Sequence, residues 1–183
     1  MKGRCENMTI YEKLKKTGDK SFAGMFESLQ LLGFTVLYYN FDYSTAKMTQ
    51  FNDKMHELND KLLEDAALYD KEKEKIEKIW GTSLAKKVKE FPYRSKVHIL
   101  GGLPKGGMMH INMAILEACS AIESFLILSF ASLMEMDRKF GKVQMDVFYS
   151  NLKENSMNYA KGMKDEFIVQ YFKDQINLTL GNK

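Results

Sequence analysis

The chain has 183 residues, 45% hydrophobic and 28% charged, which is the composition of a globular protein able to bury its own core and not of a disordered polypeptide. Two prolines, thirteen methionines and long stretches of Glu, Lys, Leu and Ala favour helix over sheet, because these side chains lose little freedom in a helix. A net charge of +3 is too small to argue by itself for nucleic acid, whose phosphates require a concentrated basic face.

The opening, Met1 to Asn7, has no functional pattern. Lys2-Gly3-Arg4 can be encoded by a purine-rich tract resembling a bacterial ribosome-binding site, so translation from Met8 is expected. Thr9 and Glu12 form a T-x-x-E capping pattern before Leu14, which predicts a short helix to Lys16, stopped by Gly18. A second helix, capped by Asp19 or Ser21, carries Phe22, Met25, Phe26 and Leu29 as far as Gly33, and the two read as a helical hairpin. Residues 34–41, FTVLYYNF, fit either a strand or a buried helix.

From Ser44 to Trp80, the series Met48, Phe51, Met55, Leu58, Leu62, Tyr69, Ile76 and Ile79 predicts one long helix, or two with a bend near Asp65. Gly81 stops it, Ser83 caps the next helix, and that helix ends at Phe91 because a residue before proline avoids the helical region. Residues 92–107 read as a connection between an N-terminal region, 8–91, and a C-terminal region, 108–183, of one compact unit. VHIL at 97–100 is a candidate strand within it, able to pair with 34–41.

Residues 108–140 are apolar on nearly every face, as expected of a central helix enclosed by its neighbours. Glu117 and Glu123 leave a charge-free run too short for a membrane span of about 20 residues. Gly141 is a stop; Met145, Phe148, Leu152 and Tyr159 mark a helix towards Gly162, and Phe167, Ile168, Tyr171, Phe172 and Ile176 mark a last one. The predicted fold is therefore all-α, six to seven helices around the central one, with Ile115, Ile122, Phe125, Leu126 and Phe130 in the core. The pairing of 34–41 with 97–100 is the allowed exception.

No catalytic constellation is legible. The loop Gly101-Gly102-Leu103-Pro104-Lys105-Gly106-Gly107 precedes a helix, yet it lacks the Gly-Lys-Ser/Thr order of a P-loop and reads as a hinge. His110 and Glu117 share a helix face, with His98 and Cys119 as conceivable further ligands, but no metal-binding spacing accompanies them. Glu117 and Glu123 lie on separated faces of a helix, which disfavours an acid/base pair. Cys119 has apolar flanks that predict an inert thiol, and with Cys5 it makes no disulfide framework. No cofactor, metal or catalytic residue is assigned. The polar N-terminus lacks the apolar core of a signal peptide, so a cytoplasmic protein is expected.

Two charged stretches are candidate binding surfaces. Lys86, Lys87, Lys89, Arg94 and Lys96, with Trp80, Phe91 and Tyr93 interleaved, suit a nucleic-acid surface that combines charge with stacking. Before them, Asp53, Glu57, Asp60, Glu64 and Asp65 form a carboxylate row that suits the basic groove of another protein.

The ends of the chain resemble small helical proteins encoded by phages and mobile elements of Gram-positive bacteria. The likeness lies in Thr9-Ile10-Tyr11-Glu12-Lys13-Leu14 with Phe22-Ala23-x-Met25-Phe26, and in Asp137-x-x-Phe140-Gly141-Lys142, Asn158-Tyr159-Ala160-Lys161-Gly162 and Asp165-x-x-Ile168. Residues 34–103 take no part in it, and the usual D-E-F-G-F-G-K-K-R form is altered here. The resemblance implies a host-takeover or anti-defence binder acting in the bacterial cytoplasm, an anti-CRISPR protein in its sharpest version. The expected partner is then a host defence protein such as a CRISPR effector nuclease. The alternative is a nucleic-acid-binding regulatory or accessory phage protein.

Overall fold

A computed structural model describes residues 10–103, 105–161 and 170. The capping pattern at Thr9, the start at Met8, Cys5 and the last amphipathic stretch, 167–176, lie outside the described residues. Seven α-helices and no strand are present among them: α1 Ile10–Phe41, α2 Thr45–Glu64, α3 Ala66–Trp80, α4 Leu84–Glu90, α5 Tyr93–Ile99, α6 Met108–Met136 and α7 Lys142–Tyr159.

The all-α expectation holds, and α6 is the central element. It packs against each of α1 to α5, while α7 closes over α1, α3 and α5. Residues 125–133 of α6 are enclosed on every side, together with Ala118, Ala121 and Ile122. A helix apolar all round loses no solvated face when its neighbours surround it. Ile122, Phe125, Leu126 and Phe130 are core residues as expected. Ile115 is only half-buried, because the first turns of α6 project beyond the bundle, with Met108 73% and Met109 78% exposed. The helix also stops at Met136, short of Phe140, where Asp137 leaves the helical region.

The hairpin expected in residues 9–33 is replaced by one continuous helix, α1, which runs through Gly18, Gly24 and Gly33. Gly33 marks a close approach: a Cβ there would stand 2.7 Å from Phe125 Cζ on α6. Residues 34–41 continue α1 and make no strand, because Met25, Leu29, Leu32 and Val36 keep one helical phase across Gly33 and are all buried. Phe34 meets Phe51 of α2 edge to face at 5.9 Å. The helix ends where Asp42 adopts φ 51° and the Tyr43 N–H donates back to Leu37 O at 3.0 Å.

Residues 97–100 likewise belong to a helical segment, since α5 runs from Tyr93 to Ile99 directly after Pro92. The connection to α6 thus shrinks from 92–107 to 100–107. The long charged helix is two, broken at Asp65, as the sequence allowed. Gly81 at φ 75° ends α3, and Ser83 caps α4 by accepting from Lys86 N–H at 3.2 Å.

The far side of the core is an aromatic cluster that joins α3, α4, α6 and α7. Trp80 is buried, its Nε1–H donates to Asp146 Oδ1 at 2.7 Å, and its ring meets Phe130 at 5.1 Å and Tyr149 at 5.5 Å. The Tyr149 hydroxyl donates to Lys87 O at 2.7 Å. Burial first, and then the neighbouring Glu90 carboxylate, push that phenol well above its ordinary value, so it remains a neutral donor.

Candidate functional site

The carboxylate row is carried by α2. Ser44 starts this helix, its hydroxyl accepting from Lys47 N–H at 3.4 Å, and Met48, Phe51, Met55 and Leu58 turn its inner face into the core. With the inner face fixed, Asp53, Glu57, Asp60 and Glu64 are forced outward. Their spacing of four, three and four residues keeps them on one stripe of a helix with 3.6 residues per turn, and all four are exposed.

Their electrostatic states differ. Glu57 accepts from Lys61 Nζ at 2.7 Å and from Lys54 Nζ at 3.0 Å. These two hydrogen bonds, reinforced by the charges themselves, hold its carboxyl down at about 2. Lys54 also reaches Glu135 of α6 at 3.6 Å, which ties the stripe to the central helix. Asp53, Asp60 and Glu64 make no ion pair among the described residues. Asp65 belongs to the row only in sequence. It is the hinge between α2 and α3, and its Oδ1 accepts from Ala67 N–H at 2.9 Å and Leu68 N–H at 3.4 Å. One member of the row is thus a structural cap, one is neutralised by flanking lysines, and three present free charge.

The basic set is more dispersed than its sequence suggests. Lys86, Lys89 and Arg94 are exposed, but Lys96 is only 8% exposed and sits on the inner face of α5. Lys87 is drawn onto the aromatic cluster, its Nζ 5.2 Å from the Trp80 ring centre and 4.8 Å from that of Tyr149. Trp80 and Phe91, read from the sequence as stacking partners for bases, are buried and unavailable for it. Tyr93 remains exposed, and with Arg94, Val97, His98 and Gly101–Leu103 it lines an open depression of about 530 Å³.

The other candidates fall apart spatially. Glu123 is paired with Lys73 of α3, whereas Glu117 is exposed on the projecting part of α6. The His98 ring packs on Tyr159 at 4.7 Å, and His110 is exposed. Cys119 is a free, half-buried thiol. Among the described residues no three His, Cys, Asp or Glu side chains converge as a metal site would require.

No protein-family model matches the chain, and neither a curated protein nor a solved structure is significantly similar to it.

Proposed function

We propose that this chain is a non-enzymatic, mobile-element or phage binding protein that inhibits a nucleic-acid-handling defence protein of its bacterial host. A CRISPR effector nuclease is the leading target. The observation that supports this reading is the exposed stripe Asp53, Glu57, Asp60 and Glu64 along a single rigid helix. A straight row of carboxylates one helical turn apart offers negative charge to a cationic groove, and so competes with the phosphate backbone that the groove serves. The paired lysines keep Glu57 ionised while the free charges of Asp53, Asp60 and Glu64 provide the attraction. Such attraction acts as steering at low ionic strength and weakens with salt.

The exposed Tyr93 and Arg94 beside Gly101–Leu103, with Lys86 and Lys89 on the preceding helix, support the second reading, direct contact with nucleic acid. One experiment separates the two. The tagged protein is used to recover partners from its native host, with and without nuclease treatment. A protein partner retained after nuclease treatment supports the inhibitor; recovery that is abolished by nuclease, together with a salt-sensitive shift of DNA or RNA by the purified chain, supports the second reading.

A further inference from the structure

A cavity of about 300 Å³ opens among α1, α2, α3 and α6. That is twice the roughly 150 Å³ of an apolar cavity that admits benzene, so there is room for about two fused rings. The apolar walls are Phe26 of α1, Met55 and Leu62 of α2 and Leu128 of α6. None of the ten residues that line the cavity is Asp, Glu, Lys or Arg.

The polar groups in the wall are two amides, two hydroxyls and the His56 imidazole. Gln30 is 3% exposed, and its Nε2–H donates to Asn52 Oδ1 at 3.3 Å, which fixes the carboxamide in one orientation. Among the described residues its Oε1 accepts no hydrogen bond, and the partly buried Asn59 carboxamide makes none. Tyr69 lines the cavity together with Ser124. Burial is the leading influence on the Tyr69 phenol and raises it above the ordinary value, while the Ser124 hydroxyl works against the rise, so a neutral O–H remains. Glu123 and Lys73 also act on this phenol, in opposite directions, and they pair with each other; Asp70, which acts on it least, is exposed to solvent. Such a wall can hydrogen-bond a neutral group but holds no counter-charge for an ion, which loses far more on leaving water. Apolar walls with a few placed polar groups are the make-up of a small-molecule pocket.

We propose that this cavity binds a neutral, largely apolar molecule of bicyclic size, seated against Phe26, Leu62 and Leu128, with one hydroxyl or amide group that meets Gln30 and Asn59. The site lies apart from the carboxylate stripe. With 3.6 residues per turn, His56, Asn59 and Leu63 stand about a quarter-turn around α2 from the line of Asp53, Glu57, Asp60 and Glu64. The proposal does not rest on the docking of α2 to a protein.

Isothermal titration calorimetry of the full chain with 2-naphthylmethanol, 2-naphthylmethylamine and 2-naphthoate tests the assignment, since the three share one body and differ in charge. The alcohol should bind saturably and at least about tenfold more tightly than either ion. Leu128→Trp, which fills the cavity, should abolish that binding. Asn59→Asp, which puts a carboxylate into the lining at a partly exposed position, should shift the ratio of affinities several-fold towards the amine; it carries the test if Leu128→Trp does not fold by circular dichroism. No saturable binding of the alcohol at millimolar concentration overturns the proposal. So does an ion that binds as tightly as the alcohol, alcohol binding that survives in a folded Leu128→Trp, or an unchanged ratio of amine to alcohol in Asn59→Asp.

Discussion

Gly24 and Gly33 lie on the same helix in opposite surroundings. A Cβ at position 33 would meet Phe125 Cζ at 2.7 Å and Phe148 Cζ at 3.6 Å, whereas one at position 24 meets nothing within 4 Å. Gly33→Ala is expected to destabilise, because overpacking costs about 1–3 kcal/mol and outweighs a helix-propensity gain of roughly 0.8–1 kcal/mol. Gly24→Ala should stabilise by about 0.5–1 kcal/mol. Urea unfolding of the two variants reads both signs, and equal gains would contradict the close contact of α1 with α6. Glu57 offers a second test at this scale. Lys61 and Lys54 lower its carboxyl from 4.5 to about 2. The stabilisation from this pairing is therefore complete above pH 4.5 and is lost as the pH falls through about 2. An NMR titration should find the Glu57 midpoint near 2 in the parent and nearer 4.5 in Lys61→Gln; a midpoint that does not move would show that the lysine has no part in it.

The junction of α2 and α3 depends on the carboxylate of Asp65, which caps α3 while the Asp65 N–H closes α2 on Lys61 O at 3.1 Å. Replacing it with Ala should cost about 1 kcal/mol, within the usual 0.5–2 kcal/mol of a lost N-cap. Asn, which retains the accepting oxygen, should recover most of that in the same denaturation experiment. Boundaries of this kind were legible in the sequence, because Ser44, Asp65, Gly81, Ser83 and Pro92 act through their own backbone and the next few residues. Elements whose state depends on distant partners were not. Gly18 reads as a stop, yet α1 continues through it. An aromatic, β-branched run such as 34–41 satisfies strand propensity, and burial against α2, α6 and α7 decides for helix. The continuous phase of Met25, Leu29, Leu32 and Val36 was the available signal.

For the molecule as a whole, the central helix and most of its core could be read from one apolar run, while the extent of its burial could not. The projecting turns at Met108 and Met109 are as apolar as the enclosed ones, so composition alone does not distinguish them. The carboxylate stripe was legible as a spacing, but the role of Asp65 as a cap and the pairing of Glu57 emerge only when neighbouring turns are assembled. Lys96 and Lys87 leave the basic surface for long-range reasons, one facing inward on α5 and the other resting on Trp80 and Tyr149.

The proposed docking of α2 is tested most directly by measuring whether the wild-type chain and the variant Asp53→Lys/Glu57→Lys/Asp60→Lys/Glu64→Lys inhibit nucleic-acid cleavage by any protein partner that is recovered from the host after nuclease treatment. The reversed side chains are exposed, where ion pairs contribute little to stability, so the variant should fold, and circular dichroism checks that it does. The expected result is inhibition by the wild type that weakens with salt, and a loss of about tenfold or more in affinity for the variant. Equal inhibition by the two proteins, or cleavage untouched by an excess of the wild type, would contradict it.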